Sequence, residues 1–211
     1  MFISDDHTLR DSSVYGAPGT HTAAMVSLVD VLPTLVDVAG GNTPAQLDGR
    51  SFENVLLGRT NEFRDCIFAT HSGDGNMNVY PSRCVRDARW KYILNLHPEF
   101  KFTSHITETV GGDGDYWRSW VDKAQTDPNA ATLVRRYQER PREELYDLMS
   151  DPLEQHNLAG AAASGETLAK MRQLLGDWMR QQDDQYKVDG TPRMLNTPSA
   201  KSVKDASLEK S

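Results

Sequence analysis

Apolar residues in the first third of the chain recur at two different spacings. A short apolar run at 1–4 precedes an acidic pair and predicts a strand. Residues 7–24 show no period and contain glycine, serine and proline, so they predict a loop. Between 27 and 41 the apolar positions recur at helical spacing, and Asp30 stands where a helix N-cap is expected. This part of the chain therefore predicts a strand, a loop and one short helix.

The middle of the chain contains three short segments that are typical of strands. They lie at 66–70, 82–87 and 90–94. The last two runs are joined by a tight turn at 87–89. Because consecutive short strands with tight links pair most readily with their neighbours, this region predicts an antiparallel sheet.

The last third of the chain returns to helical spacing. Two surface helices are predicted at 116–125 and 129–140, and an extended segment at 143–148. Ser164 is placed to cap a long final helix. The apolar residues of one face of that helix are Leu168, Met171, Leu174, Leu175 and Trp178. From 187 to 211 the chain is polar and without period, which predicts a disordered tail.

Composition and charge narrow the class of protein. Hydrophobic residues make up 38% of the 211 residues and charged residues 25%, which is ordinary for a globular protein. The formal charge of −7 argues against nucleic acid as a partner, because phosphate binding requires a basic face. No apolar run is long enough to cross a membrane, and Met1 is followed by no basic and apolar signal segment. Two cysteines are too few to indicate a disulfide framework, so the compartment stays open.

Three segments resemble the type I sulfatases and occur in the order of that family. Residues 2–7, Phe-Ile-Ser-Asp-Asp-His, resemble the strand that ends in a calcium-binding acid pair. Residues 26–35 and 47–51 are similar to the family's V-S-x-x-D-x-x-P-T core and its D-G-R-S continuation. Residues 144–158 resemble the C-terminal run E-L-Y-D-L-x-x-D-P-x-E-x-x-N-L. Three such matches in order are far more specific than any one of them.

Within the sulfatases, the chain most resembles the heparan N-sulfatases, or sulfamidases, at 80–83 (Tyr-Pro-Ser-Arg) and in the strand at 90–96. The resemblance implies an α/β, alkaline-phosphatase-like sulfatase fold, reduced to one N-terminal strand plus the C-terminal antiparallel sheet and helix. Residues 1–24 are then a remnant of the metal-binding strand and loop, and 25–186 are the C-terminal subdomain. Because most of a large domain would be missing, we expect exposed apolar surface and poor solubility.

The resemblance also implies a chemistry, but this chain lacks its central residue. The family's nucleophile is a formylglycine made from the first residue of a C/S-x-P/A-x-R motif, and neither Cys66 nor Cys84 begins one. No catalytic residue is therefore assigned. By resemblance, Asp5 and Asp6 are calcium ligands, since calcium prefers hard carboxylate oxygens. Without the resemblance they would be a solvated acidic pair, and alone they are expected to bind calcium weakly.

Three residues are candidates for contact with a sulfated sugar. By the resemblance, His71 and Asp74 lie in a loop that faces the substrate pocket. Arg83 is a weaker candidate for binding sulfate or carboxylate. Two alternatives stay open: His71 as an ordinary histidine at a loop end, and Arg83 as a strand residue paired with a nearby carboxylate.

Two functional hypotheses follow from the sequence. In the first, the chain belongs to a sulfuric ester or sulfamate hydrolase that acts on sulfated sugars such as heparan-type glycans in a longer form. In the second, it is a catalytically inactive C-terminal remnant of such an enzyme. A phosphoesterase of the same superfamily is a third, weaker alternative. The resemblance implies an exported or lysosomal protein, while the linkage hydrolysed and the oligomeric state stay open.

Overall fold

The computed structural model of the chain describes residues 21–71, 80–102, 104, 107, 114–184 and 186. The chain divides into two compact units. The described part of unit 1 comprises 21–68 and 86–89, and that of unit 2 comprises the described residues of 69–85 and 90–186. The strand predicted at 1–4 and the disordered tail predicted at 187–211 lie outside the described residues and stay predictions.

Unit 1 contains the helix that was predicted between 27 and 41. It begins as a 3-10 turn, Leu28–Asp30, and continues as α1, Val31–Val38. A second short helix, α2, spans Glu53–Leu56. The chain leaves α1 through Gly40, whose φ of 72° lies in the left-handed region that favours glycine. Gly40 therefore allows the chain to turn away at the end of α1.

Asp30 organises unit 1 in a way that its predicted role did not include. It stands at the N-cap position of α1, but its side chain makes no capping bond there. Instead its carboxylate accepts hydrogen bonds from the backbone N–H of Ser27 at 2.9 Å and of Arg50 at 3.0 Å. Nε of Arg64 donates to the same carboxylate at 2.7 Å, and Nη2 of Arg64 contacts it as well. The prediction placed Asp30 correctly at the N-cap position. It was wrong about the bonding, because the carboxylate does not bind the N–H groups of α1.

The surroundings of Asp30 show how closely unit 1 is packed there. Asp30 and Thr34 are both fully buried, and the Thr34 hydroxyl donates to the Asp30 carbonyl at 2.6 Å while it accepts from the N–H of Phe52 at 3.0 Å. Burial alone would raise the pKa of Asp30, but the bonds from Arg64, Arg50 and Ser27 outweigh it and hold that pKa below its ordinary value. A Cβ at Gly49 would lie 1.8 Å from a backbone oxygen, so only glycine allows this approach.

The sheet has four strands in the order β1-β2-β3-β4. They are β1, Cys66–His71; β2, Ser82–Asp87; β3, Trp90–Asn95; and β4, Glu143–Asp147. β3 and β4 are antiparallel, with Tyr92 opposite Leu145, and only two residues separate β2 from β3. The predicted antiparallel sheet is confirmed, with strand ends that differ by one residue at most from those predicted.

The described part of unit 2 also contains three α-helices. They are α3, Gly114–Ala124; α4, Pro128–Gln138; and α5, Gly165–Gln181. The carboxylate of Asp127 caps α4 by accepting from the N–H groups of Asn129 and Ala130. Ser164 stands at the N-cap of α5 as predicted, although its side chain makes no capping bond.

The core of unit 2 lies between the sheet and α5. Leu168, Met171 and Leu175 are buried along the predicted face of α5, whereas Leu174 and Trp178 are only half-buried. Met179, which the pattern did not single out, is buried as well. None of the described helices is long and apolar enough to cross a bilayer.

Unit 1 exposes apolar side chains, as the resemblance led us to expect. Leu28 is 83% exposed, and Val29 and Leu32 are both more than half exposed. These three residues lie on the turn that leads into α1 and on α1 itself. Apolar side chains grouped in this way reduce solubility unless another surface covers them.

Candidate functional site

A cavity of about 240 Å³ lies within unit 2. It is lined by His71, Tyr80, Ser82, Ile93, Asn95, Phe102 and Arg140. The sheet supplies four of these residues, because His71 ends β1, Ser82 begins β2, and Ile93 and Asn95 lie near the end of β3. The cavity therefore lies at one end of three neighbouring strands, where side chains from separate parts of the sequence meet.

Tyr80 contributes an unusual polar group to this cavity. Its side chain is 2% exposed, and its hydroxyl has no hydrogen-bond partner among the described residues. A buried hydroxyl without a partner costs free energy, so each such group calls for an explanation. Burial raises the pKa of Tyr80 to about 12, so the phenol remains protonated at neutral pH and can both donate and accept.

Arg140, which is half-buried, and Glu144, which is buried, form an ion pair beside the cavity. Nε and Nη2 of Arg140 each donate to the Glu144 carboxylate at 2.9 Å. Asn95 donates to the same carboxylate at 2.7 Å, and the Tyr146 hydroxyl also donates to it. Burial by itself would raise the pKa of Glu144, but these bonds outweigh it and lower that pKa. The carboxylate of Glu144 therefore balances the positive charge of Arg140.

Aromatic rings form one side of the cavity and continue beyond it. Tyr80 and Phe102 meet edge to face with their ring centres 5.4 Å apart. Phe102 and Tyr137 are 5.2 Å apart, and Tyr137 and Trp117 are 5.0 Å apart. The Arg140 guanidinium lies 5.9 Å from the centre of the Phe102 ring. These rings hold Phe102 in place as an apolar wall.

The structure places two of the predicted sugar-contact residues near each other. His71 lines the cavity. Arg83 is 3% exposed, pairs with the carboxylate of Asp184, and donates through Nη1 to the carbonyls of His71 at 3.2 Å and Ser82 at 2.9 Å. This geometry favours the interpretation of Arg83 as a strand residue paired with a carboxylate, and it holds the His71 backbone in position. Asp74 lies outside the described residues.

The predicted metal ligands cannot be placed in the same way. Asp5 and Asp6 both lie outside the described residues. Within the part of the chain that the structure describes, no group of three or more His, Cys, Asp or Glu residues is arranged to hold a metal ion. Calcium therefore stays a prediction from the resemblance, and no chemical step is assigned to it.

Of the seven residues that line the cavity, sequence reasoning proposed only His71 as a contact. Tyr80 belonged to the segment that carried the resemblance to the sulfamidases, but nothing in the pattern marked its hydroxyl as unpaired. Asn95 and Arg140 lie 45 residues apart and come together through Glu144. A polar residue at the end of an otherwise apolar strand, as Asn95 is, was the available signal.

A shallower depression of about 400 Å³ lies in unit 1, lined by Asp48, Arg50, Arg64, Asp65, Cys66 and Phe68. Its arginines already have structural partners. Arg64 is paired with Asp30, while Arg50 lies 4.7 Å from the centre of the Phe63 ring and donates to the Phe63 carbonyl. The cavity of unit 2 is therefore the stronger candidate site among the described residues.

Sequence comparison relates most of the chain to sulfatases. The family described as N-sulphoglucosamine sulphohydrolase, C-terminal, matches residues 14–103. An ulvan-active sulfatase of Formosa agariphila is 31% identical over 173 residues, which is 79% of this chain and 31% of that protein. The N-sulphoglucosamine sulphohydrolase of Homo sapiens is 27% identical over 184 residues, which is 80% of this chain and 35% of that protein.

A solved structure agrees with these relatives. A 2-O GAG sulfatase is 28% identical to the chain, with a TM-score of 0.50, and the match covers 81% of this chain and 28% of that one. The chain thus spans about a third of the length of the curated relatives it matches. Its four-stranded sheet and helices form part of the C-terminal domain of the alkaline-phosphatase-like α/β sulfatase fold. Over about four fifths of its length, the chain is therefore similar to sulfatases.

Proposed function

We propose that this chain is the C-terminal part of a hydrolase that removes sulfate from sulfated sugars, and that it supplies sugar-binding groups to that reaction. The observation that carries the proposal is its similarity, over 79% of its length, to an ulvan-active sulfatase. The proposal is also supported by a cavity that contains polar groups with unused hydrogen-bonding capacity. His71, the residue that the resemblance assigned to substrate contact, lines the same cavity.

N-sulfated glucosamine is the substrate that we favour within this class. The matching family is described as N-sulphoglucosamine sulphohydrolase, C-terminal, and a human relative has the same name. Ester-linked sulfate remains the competing substrate, because the ulvan-active and 2-O GAG sulfatases are at least as similar to the chain.

The nucleophile is assigned to a residue outside this sequence. Cys66 is followed by Ile-Phe-Ala-Thr and Cys84 by Val-Arg-Asp-Ala, and neither context provides the C/S-x-P/A-x-R motif. In a sulfatase the attacking oxygen must be activated and the leaving group must be protonated, and both tasks require groups placed beside the sulfur. This chain contributes the walls that orient the sugar, which lowers the barrier by holding the reactants in place.

Turnover measurements separate this proposal from the inactive alternative. The purified 211-residue chain, with calcium added, is expected to hydrolyse neither N-sulfoglucosamine nor a chromogenic aryl sulfate. A longer protein from the same locus that contains an in-frame C/S-x-P/A-x-R motif is expected to hydrolyse at least one of them, and replacement of the motif's first residue by alanine should abolish that activity. An inactive longer protein would favour the remnant hypothesis, and turnover by the short chain would mean that its nucleophile has been overlooked.

A further inference from the structure

We propose that the cavity of unit 2 holds one sugar ring of the glycan through its hydroxyl groups, and that it does not bind the sulfate. This inference rests on the proposed function, since it names the part of the substrate that the chain holds. The hydrogen-bonding capacity, the walls, the charge and the size of the cavity each support it.

Four polar groups that line the cavity have hydrogen-bonding capacity that no described residue uses. The hydroxyls of Tyr80 and Ser82 have no partner among the described residues. Asn95 uses both amide hydrogens, on the Pro141 carbonyl and on Glu144, so its amide oxygen is left to accept. Arg140 uses Nε and Nη2 on Glu144, which leaves Nη1 to donate.

These groups match the chemistry of neighbouring sugar hydroxyls. A sugar hydroxyl donates one hydrogen bond and accepts others. Asn95 supplies an acceptor, Arg140 a donor, and the two hydroxyls of Tyr80 and Ser82 can take either role. A ligand that satisfies the Tyr80 hydroxyl also removes the cost of leaving a buried polar group without a partner.

The walls and the charge of the cavity argue for a sugar ring and against a sulfate. Phe102 and Ile93 supply apolar surface, which suits the C–H face of a pyranose ring. Binding of a sulfate or of a dianion would require a cation whose charge is not yet balanced. The charge of Arg140 is already balanced by Glu144. The cavity therefore favours an uncharged sugar ring that carries hydroxyl groups.

The size of the cavity limits the ligand to a single residue. Pockets for drug-sized ligands enclose about 300–1,000 Å³. The cavity here encloses about 240 Å³, which is below that range and suits one monosaccharide. The remainder of a glycan, with its sulfate, would extend out of it.

Binding to the 211-residue chain tests the inference without any need for turnover. N-acetylglucosamine and N-sulfoglucosamine are each titrated into isotope-labelled chain and followed by NMR chemical shifts. We expect both to bind with affinities within about threefold of each other, because the sulfate is not held. Tyr80→Phe removes only the hydroxyl and should weaken both affinities roughly three- to tenfold, the effect of one neutral hydrogen bond.

Tyr137→Phe is the matched control. It removes a hydroxyl from the same set of packed rings, but Tyr137 does not line the cavity and its hydroxyl contacts Ser104. We expect sugar affinity to be unchanged in Tyr137→Phe, and the melting temperature of Tyr80→Phe to be no lower than that of the parent chain, since no protein hydrogen bond is lost. Equal sugar affinities for the Tyr80→Phe variant and the parent chain overturn the inference.

Two other results also overturn the inference, and each is distinct from a failure of the proposed function. If neither sugar shifts any resonance, the Tyr80 hydroxyl is satisfied by something other than sugar. If only the sulfated sugar binds, the cavity recognises the anion. Sugar binding by the chain together with an inactive longer protein would contradict the proposed hydrolase while leaving the sugar site intact.

Discussion

A carboxylate lies at the centre of unit 1, whereas aliphatic and aromatic side chains fill the centre of unit 2. In unit 1, Asp30 is fully buried while Leu28 is 83% exposed. In unit 2, Leu145 and Met171 are fully buried, and both belong to the layer between the sheet and α5. The same chain thus contains a region built around directional polar bonds and a region built around apolar packing.

The two units therefore depend on different kinds of interaction for their stability. Apolar burial contributes roughly 25 cal/mol per Å² and tolerates small shifts, because it has no preferred direction. A buried carboxylate contributes only while its partners remain in place, since an unpaired buried charge is strongly unfavourable. The stability of unit 2 should therefore fall when a buried apolar side chain loses volume. The stability of unit 1 should fall when the buried carboxylate or one of its hydrogen-bond partners is removed.

The largest expected effect is the loss of apolar volume in unit 2. Leu145→Ala removes a fully buried side chain from β4 and should lower the free energy of unfolding by about 2–5 kcal/mol. Leu153→Ala, at a position that is 76% exposed, is the matched control and should change it by less than about 0.5 kcal/mol. Denaturant unfolding followed by hydrogen exchange in unit 2 measures both. Similar losses for the two variants would contradict an apolar centre.

The next effect is the loss of the buried carboxylate in unit 1. Breaking a buried ion pair costs about 3–5 kcal/mol, and because Arg64 is 22% exposed we expect roughly 2–3 kcal/mol for Asp30→Ala. Asp37→Ala, an exposed acidic position on α1, is the control and should be nearly neutral. Hydrogen exchange of amides between 27 and 64 reports the difference. Equal protection in both variants would show that Asp30 does not hold unit 1 together.

At neutral pH the smallest expected effect belongs to unit 2, because it appears only in alkali. Tyr80, Tyr92 and Tyr146 are buried there, and burial raises the pKa of each, that of Tyr80 to about 12. The unfolded chain releases these protons near pH 10, so their contribution to stability is complete below pH 10 and is lost as the pH rises toward 12. Each pKa unit corresponds to about 1.4 kcal/mol.

Tyrosinate absorbance during a pH titration tests this expectation. The folded chain should show a late phase above pH 11 that loses amplitude in Tyr80→Phe, and Tyr116→Phe controls for the loss of one tyrosine from an exposed position. A single transition near pH 10 while the chain is still folded would contradict the burial of these hydroxyls.

The sequence predicted those features that depend on neighbouring residues. β2 and β3 follow from two short strand-like segments on either side of a tight turn, and the buried face of α5 follows from its helical period. The partner of Asp30 did not follow, because Arg64 lies 34 residues further along the chain. No local pattern indicates which distant group a carboxylate will meet.

The candidate site shows the same division. His71 was proposed from the family resemblance, and it lines the cavity. Arg140 lines that cavity and donates to Glu144, which also accepts a hydrogen bond from Asn95 across the β3–β4 pair. The role of Tyr80 depends on a missing partner, which is a property of the folded structure and cannot be inferred from the order of residues.

The carboxylate of Asp30 also acts as a cross-link between distant parts of the chain. It binds the backbone 20 residues away at Arg50 and the side chain 34 residues away at Arg64. The entropy cost of closing a loop grows only with the logarithm of its length, so once the first contact has formed, the second closes a much shorter loop. Because the pKa of Asp30 is lowered from 3.8, this cross-link persists at neutral pH and opens when acid protonates it. Unlike a disulfide, it is released by a single proton and needs no reductant.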